Sequence, residues 1–164
     1  AVIALKGTEP IPRNFLNLYK KNYFNHRTIG FTNGCFDLIH SGHIFLLEKA
    51  KENCDYLIVG INSDNSIKRL KGNRRPINKE EDRYKILKSI KYVDEVIIFE
   101  EDTPLRLIKK ISPDLLVKGS DYQKNEIVGS DYVESYGGKI LRVDFIDDLS
   151  TSKTIDKINK NYNK

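Results

Sequence analysis

The most informative part of the sequence is Thr32-Asn33-Gly34-Cys35-Phe36-Asp37-Leu38-Ile39-His40-Ser41-Gly42-His43. It has the pattern of a buried strand that ends in a glycine-containing turn and is followed by a helix. Free N–H groups at a helix start bind phosphate, and a glycine there lets an oxygen approach the backbone. His40 and His43 lie three residues apart at this start, so both rings could donate to one phosphate group. The arrangement favours a phosphate-binding function over a pair of solvent-facing histidines.

Outward from this stretch, strands and helices alternate along the chain. Runs rich in β-branched residues predict five strands, at residues 28–32, 56–62, 95–99, 115–118 and 140–145. Most of these runs are apolar throughout, as expected of strands that a parallel sheet buries on both faces. Helical patterns lie between them, at residues 43–52, 78–90 (with Asn78 as the N-cap), 105–111 and 125–136. The predicted fold class is α/β, a doubly wound, Rossmann-like parallel five-stranded sheet with helices on both faces.

The chain divides into three predicted parts. Residues 28–158 form the α/β domain, and residues 159–164 are a polar tail that is expected to fray. Residues 1–27 are a lead-in or linker that contains a predicted helix at 13–23. The chain starts with Ala1 and contains no methionine, which suggests a piece of a longer protein.

The composition excludes several classes of protein. There is no run of about 18 apolar residues, so the sequence predicts no transmembrane helix, and it has no signal-peptide pattern. Two cysteines, Cys35 and Cys54, are too few for a disulfide framework or a zinc cluster and fit a cytoplasmic protein. The net charge of +5 comes mainly from lysine, whereas nucleic-acid readout usually depends on arginine. The expected partners are therefore anionic small molecules, with no nucleic acid and no membrane.

A cluster of cations follows the second predicted strand and so belongs to the ligand-binding edge of the sheet. Arg69, Lys71, Arg74 and Arg75 fall within seven residues, in what we expect to be a loop. Cations at this edge can neutralise a triphosphate and a departing pyrophosphate. The alternative is a basic loop that is simply solvated.

Further polar residues follow strands or start helices. Lys118 ends the fourth strand, where it suits a ligand contact, although such a lysine can also extend out of the core to solvent. Asp64 and Asp121 could bind a sugar hydroxyl or cap the next helical turn. Arg83, on the helix after the cation cluster, could pair with Glu80 on the surface. Hydroxyls at the start of a last predicted helix suit a phosphate or ribose, and they belong to Ser150, Thr151 and Ser152.

The motifs resemble those of a known superfamily. His40-Ser41-Gly42-His43 matches the H-x-G-H signature of the nucleotidyltransferases, and Asn33-Gly34-Cys35-Phe36-Asp37 matches their cytidylyltransferase-like branch. Three further blocks, at residues 62–64, 68–78 and 114–122, resemble the adenylyltransferase domain of the bifunctional heptose 7-phosphate kinase/heptose 1-phosphate adenylyltransferases. The resemblance extends from about residue 28 to residue 158.

The resemblance implies an activity and a set of site residues. A phosphate oxygen of D-glycero-β-D-manno-heptose 1-phosphate would attack the α-phosphorus of ATP and expel pyrophosphate, which gives ADP-heptose for the lipopolysaccharide inner core. Magnesium would enter on the ATP phosphates, with no metal held by the protein. The implied catalytic residues are His40, His43 and Lys71. The implied nucleotide- and phosphate-binding residues are Cys35, Phe36, Gly42, Arg69, Arg83, Lys118, Ser150, Thr151 and Ser152. The implied substrate-binding residues are Asp37, Asp64, Arg74, Arg75 and Asp121.

Two alternatives stay open from the sequence. One is a glycerol-3-phosphate cytidylyltransferase, or another phosphosugar or phosphoalcohol nucleotidyltransferase, because residues 91–96 suit that branch equally well. Against it, the cytidylyltransferases' R-T-x-G-I-S-T-T element lacks its arginine and glycine here, where residues 145–149 read Phe-Ile-Asp-Asp-Leu. The other is a non-catalytic nucleotide- or RNA-binding module, because a fold does not fix a function.

Two expectations concern assembly. Residues 1–8 resemble the end of a ribokinase-like sugar kinase domain, which suggests fusion to such a domain. The sequence does not determine the oligomeric state, and a homodimer stays open because dimers are common among small folds of this kind.

Overall fold

The computed structural model describes residues 27–144 and 150–162 of the 164-residue chain. The helix expected at residues 13–23 and residue 145 of the fifth expected strand lie outside the described residues. Within them, the strands are β1 (Ile29–Gly34), β2 (Tyr56–Asn62), β3 (Glu95–Phe99), β4 (Leu115–Gly119) and β5 (Lys139–Val143). The helices are α1 (Ser41–Glu52), α2 (Asp64–Lys71), α3 (Glu80–Lys88), α4 (Leu105–Ile111), α5 (Ser130–Ser135) and α6 (Thr151–Tyr162), with a 3₁₀ turn at Lys124–Glu126.

The described strands form one parallel sheet in the order β3-β2-β1-β4-β5. From β1 the chain first builds outward through β2 and β3, and then returns to add β4 and β5 on the other side. The doubly wound fold predicted from the sequence is therefore confirmed. In such sheets the ligand crevice opens at the carboxyl ends of the two strands where the order reverses, which here are β1 and β4.

The core lies in two layers, one on each face of the sheet. Helices α1 and α3 cover one face, where they pack on alternate residues of β2, β3 and β4; the largest buried members are Phe36, Leu46, Leu47, Leu57, Ile61 and Leu87. Helices α4 and α5 cover the other face, and the buried members there include Ile29, Phe31, Ile58, Phe99, Ile108 and Leu116. Burial on both faces explains why the strands read as continuous apolar runs rather than alternating ones.

Aspartates close the amino ends of the central strands, opposite the crevice. Asp114 accepts a hydrogen bond from the backbone N–H of Ile29 at 2.8 Å, and Asp94 accepts one from Leu57 at 2.7 Å. These carboxylates satisfy strand donors that the ladder leaves open, so they fix the strand starts. At the opposite edge of the sheet, the carboxyl ends of the strands line the crevice.

Helix α2 was missed by the sequence analysis, which expected a loop at the cation cluster. Of its residues, all of which the structure describes, only Ser66 and Ile67 are buried. The segment has just two apolar residues, Ile67 and Leu70, which make an apolar stripe too short to identify a helix. Ser63 caps it by accepting a hydrogen bond from the N–H of Ser66 at 3.1 Å. Arg69 and Lys71 therefore lie on the last turn of a helix.

Two expected helix boundaries were also wrong. The helix expected to start at Asn78 begins at Glu80, because the backbone N–H and the side-chain amide of Asn78 both bind Asp37. The helix expected over residues 125–136 is interrupted at Gly129, whose φ of 86° cannot continue a right-handed helix.

Candidate active site

The two histidines of the H-x-G-H stretch form a stacked pair at the start of α1. Their ring centroids are 3.8 Å apart, and the planes are tilted by 33°. His40 is the N-cap of α1, and its backbone N–H donates to Nδ1 of His43 at 3.3 Å. Phe36 lies on the other side of the His43 ring, at 5.1 Å between centroids. The turn and the first helical turn thus hold the His43 ring in one orientation.

This geometry fixes the protonation of His43. Because Nδ1 accepts a hydrogen bond, the neutral ring has its proton on Nε2. Burial, together with the nearby positive charges of His40 and Lys71, lowers the pKa of His43 to about 4. Burial also lowers the pKa of His40. Near neutral pH, His43 is therefore an uncharged hydrogen-bond donor.

A cleft of about 430 Å³ opens between the carboxyl ends of β1 and β4, at the point where the strand order reverses. One flank comes from β2, α2 and the segment after β3, and the other from β4 and the turn that follows it. Its central lining comes from the end of β1 and from α1. The lining residues are Thr32, Asn33, Gly34, Cys35, Phe36, His43, Leu46, Asn62, Leu70, Lys71, Asp102, Lys118, Gly119, Asp121 and Tyr122.

Lys118 is a half-buried cation of the cleft. Its ammonium donates to the backbone carbonyl of Asn33 at 3.0 Å and lies 5.5 Å from the ring centroid of Tyr122. Burial lowers its pKa to about 8, although the charge of Asp121 opposes the shift. Because burial disfavours the charged form of this amine, an anion that enters the cleft stabilises that form. Lys118 is therefore suited to bind phosphate.

Lys71 supplies a second cation from the opposite flank. It is the last residue of α2 and lines the cleft close enough to His43 to affect that pKa. Gly42 lies in the first turn of α1 beside the histidine pair. The structure therefore brings together seven of the expected residues: His40, His43, Lys71, Cys35, Phe36, Lys118 and Asp121.

Asp37 and Arg75 lie behind the cleft and bind each other instead of facing it. Arg75 Nε donates to the Asp37 carboxylate at 2.7 Å, and the N–H groups of Ile77 and Asn78 donate to the same carboxylate at 2.8–2.9 Å. The Asp37 side chain has no exposed surface. Burial opposes its ionisation, but these hydrogen bonds and the Arg75 charge lower its pKa overall. The geometry leaves Asp37 no oxygen for a substrate, contrary to our expectation.

Arg83 is likewise part of the framework rather than the cleft surface. Its side chain is fully buried and donates to the backbone carbonyls of Cys35, Asn62 and Asn78 at 2.8–3.0 Å. It also forms an ion pair with Asp64 at 2.9 Å. Arg83 and Asp64 therefore do not line the described cleft, and the ion pair of Arg83 is with Asp64 rather than with Glu80.

The remaining expected residues lie away from the described cleft lining. Arg69 is exposed and binds Asp102 at 2.7 Å, and Arg74 is also exposed. At the start of α6, Ser150 Oγ accepts from the N–H of Lys153, and Thr151 Oγ1 donates to the carbonyl of Leu38 at 3.1 Å. Ser152 is exposed. These contacts tie α6 to the segment before His40.

Sequence reasoning missed two residues in the centre of the cleft, Thr32 and Asn33. Among the described residues, neither Thr32 Oγ1 nor Asn33 Oδ1 has a hydrogen-bond partner, although both atoms are buried. Their position just before the Gly34 turn could have identified them, because side chains at the end of a central parallel strand face the ligand crevice.

In residues 27–144 and 150–162, no three His, Cys, Asp or Glu side chains are grouped so that they could hold a metal ion. No helix in the described part of the chain has the length and apolarity needed to cross a membrane.

Comparison with known proteins places this geometry in a family. A family model described as cytidylyltransferase-like matches residues 31–157. The bifunctional protein HldE of Geobacter metallireducens is 52% identical over 136 residues, which are 83% of this chain and 28% of that protein. HldE of Paramagnetospirillum magneticum is 51% identical over 133 residues, 81% of this chain and 27% of that protein. The chain thus spans little more than a quarter of the length of these relatives.

Solved structures agree on the fold. A lipopolysaccharide core biosynthesis protein from Thermoplasma volcanium superposes with a TM-score of 0.63 at 28% identity, covering 74% of this chain and 99% of that one. A pantoate-beta-alanine ligase from Francisella tularensis superposes with a TM-score of 0.61 at 20% identity, covering 93% of this chain and 76% of that one, and supports the fold alone. Because the family model matches most of the chain, including the histidine pair and the crevice where the strand order reverses, the chain belongs to the cytidylyltransferase-like family.

Proposed function

We propose that the chain transfers the adenylyl group of ATP to D-glycero-β-D-manno-heptose 1-phosphate, giving ADP-heptose and pyrophosphate for the lipopolysaccharide inner core. The observation that supports it most directly is about 50% identity to the HldE proteins over more than four-fifths of this chain. The 28% identity to a lipopolysaccharide core biosynthesis protein supports the same assignment. The reaction would take place in the cytoplasm, where ATP is available.

The chemistry is a direct displacement at phosphorus. An oxygen of the sugar phosphate forms a bond to the α-phosphorus, and the bond from that phosphorus to the bridging oxygen of pyrophosphate breaks. The chain would contribute positioning and charge stabilisation rather than a covalent intermediate. Mg²⁺ would arrive on the triphosphate, because ATP carries it in solution.

The cleft residues would divide this work by charge. Lys71 and Lys118 approach from opposite flanks, so the phosphates can lie between two ammonium groups. His43 would donate its Nε2–H to a phosphate oxygen while it stays neutral, and His40 would hold the tautomer through its backbone N–H. An uncharged donor needs no proton transfer to act, so this role requires no titration near pH 7. Asp121 and Tyr122, beside Lys118, would offer oxygens to the sugar hydroxyls.

The experiment is pyrophosphate release with Mg²⁺, with ATP and CTP each tested against heptose 1-phosphate and glycerol 3-phosphate. The proposal expects turnover with ATP and the heptose. Turnover confined to CTP and glycerol phosphate would replace the substrate but keep the displacement. ATP binding without turnover on any acceptor would favour the non-catalytic alternative and overturn the proposal.

A matched pair of variants tests the role of the cleft cation. Lys71→Met and Lys68→Met remove the same charge from the same helix, but only Lys71 lines the cleft, and Lys68 is exposed. We expect Lys71→Met to lower kcat/KM at least about tenfold, which is about 1.4 kcal/mol of transition-state stabilisation. Lys68→Met should stay within about twofold of the wild type. Equal losses in both would show that only the general positive charge of α2 matters.

A further inference from the structure

The cleft lysine Lys71 belongs to a helix that apolar packing holds only weakly. Of the α2 residues, all of which the structure describes, Ile67 alone is a buried apolar side chain, and Leu70 next to Lys71 is 49% exposed. A helix with so little buried apolar surface is not placed accurately by the hydrophobic effect. Polar contacts must therefore set its position. In the middle of the helix, Ser66 and Arg69 bind the segment after β3, through the Glu101 carbonyl and the Asp102 carboxylate. Further polar contacts lie at its start and beyond its end.

At the start of α2, the contact is a buried arginine. Arg83 pairs with Asp64, the first residue of the helix, at 2.9 Å. The same guanidinium donates to the carbonyl of Cys35 in the turn after β1 and to the carbonyl of Asn62 at the end of β2. Because a guanidinium has fixed geometry, these bonds set the start of α2 against the Cys35 turn.

Beyond the end of α2, the contact is a buried aspartate. The chain turns after Gly72, where the N–H of Arg75 donates to the Gly72 carbonyl at 3.1 Å. The Arg75 side chain and the two backbone N–H groups of Ile77 and Asn78 then converge on the carboxylate of Asp37. Asp37 lies two residues after Cys35 and three before His40, so both ends of α2 are tied to the same short segment.

We propose that Asp37 and Arg83 are positioning residues that place Lys71 against the histidine pair by fixing the two ends of α2 to the segment between β1 and α1. The inference rests on the proposed function in one respect, that Lys71 acts on the nucleotide phosphates. Neither residue touches substrate. They act through the distance between Lys71 and His43, which approach the cleft from α2 and α1.

The test combines hydrogen exchange with a double-mutant cycle. Asp37→Asn keeps the size of the side chain, but an NH2 group, which donates hydrogen bonds, replaces one of the two carboxylate oxygens that accept them. Amide exchange of the peptide that covers α2 should speed up in Asp37→Asn, because its anchor is lost. The Kd for Mg-ATP, measured by calorimetry, should rise about tenfold in the Asp37→Asn variant. In a Lys71→Met background the same substitution should raise it by less than about twofold.

Asp114→Asn is the matched control. This aspartate also accepts a backbone N–H, that of Ile29, but at the amino ends of the strands, away from the cleft. It should leave the exchange of α2 and the Kd for Mg-ATP unchanged. If Asp37→Asn does not fold, Asp64→Ala removes the partly exposed partner of Arg83 and tests the other anchor by the same two measurements.

The outcomes separate the two proposals. Unchanged exchange in α2, or a full tenfold loss that persists in the Lys71→Met background, would overturn the positioning inference. Failure of the wild type to bind Mg-ATP would overturn the proposed function, whereas the exchange of α2 would still decide whether Asp37 anchors the helix. Faster exchange in α2 together with a non-additive loss of affinity would support the inference.

Discussion

The lowered pKa of His43 makes the stability of this protein depend on pH in a way that one substitution can isolate. In the folded state the pKa is about 4, against 6.5 for an ordinary histidine, because of burial and the nearby charges of His40 and Lys71. In the unfolded chain the imidazole takes up a proton once the pH falls below about 6.5. Unfolding then binds a proton, so the free energy of unfolding falls as the pH falls from 6.5 towards 4.

The size of the effect follows from the two pKa values. Each pKa unit corresponds to about 1.4 kcal/mol, so the shift of His43 from 6.5 to about 4 amounts to about 3 kcal/mol in full. At pH 5, where the unfolded imidazole is protonated and the folded one is not, about 2 kcal/mol of it should already be lost. Carboxylates titrate over the same range, so the wild type alone does not isolate this contribution.

The assay is urea denaturation of the wild type and His43→Gln at pH 8 and at pH 5. Glutamine does not titrate, so the wild type should lose about 2 kcal/mol more than the variant between the two pH values. NMR titration of the His43 ring in the folded protein gives an independent check of the pKa. Equal pH dependence of the two proteins, within about 0.5 kcal/mol, would refute the reasoning.

Three further predictions concern Arg83, Lys118 and Gly129. Arg83→Met should destabilise the fold by about 3–5 kcal/mol in urea denaturation, because it leaves three buried carbonyls and Asp64 without their donor. A loss under about 1 kcal/mol would contradict the stabilising role of these Arg83 hydrogen bonds. Lys118→Met should lower kcat/KM for pyrophosphate release at least about tenfold. The Tm should stay equal or rise, because the substitution removes an amine whose burial lowers its pKa to about 8. A clear drop in Tm would show that the bond from Lys118 to the Asn33 carbonyl stabilises the fold. Gly129→Ala should lower the free energy of unfolding by about 1–2 kcal/mol in the same assay, because φ is 86° and the new Cβ would lie 2.8 Å from Ile108 Cδ1. An unchanged midpoint of the urea transition would mean that Ile108 and the turn relax freely.

The amino-acid sequence was sufficient to predict the sheet and several residues of the cleft. Strands such as Tyr56–Asn62 are apolar throughout because both of their faces are buried. Such a run can be recognised from the sequence of the strand alone. His43 and Lys118 could be placed at the crevice because each follows or ends a strand, and parallel strands end at one edge. The His40–His43 spacing on a helix start brought the two rings together without any long-range contact.

Which charged residues line the cleft could be seen only from the tertiary fold. Arg83 and Lys71 look alike in sequence, but Arg83 is fully buried because its guanidinium donates to three backbone carbonyls and to the Asp64 carboxylate, in segments up to 48 residues away. Asp37 was expected at a substrate, yet donors about 40 residues later in the chain occupy its carboxylate. Helix α2 was missed for the same reason, because its position depends on those polar contacts and not on an apolar stripe. Local patterns determine burial along one element, whereas the pairing of buried charges depends on which distant segments the fold brings together.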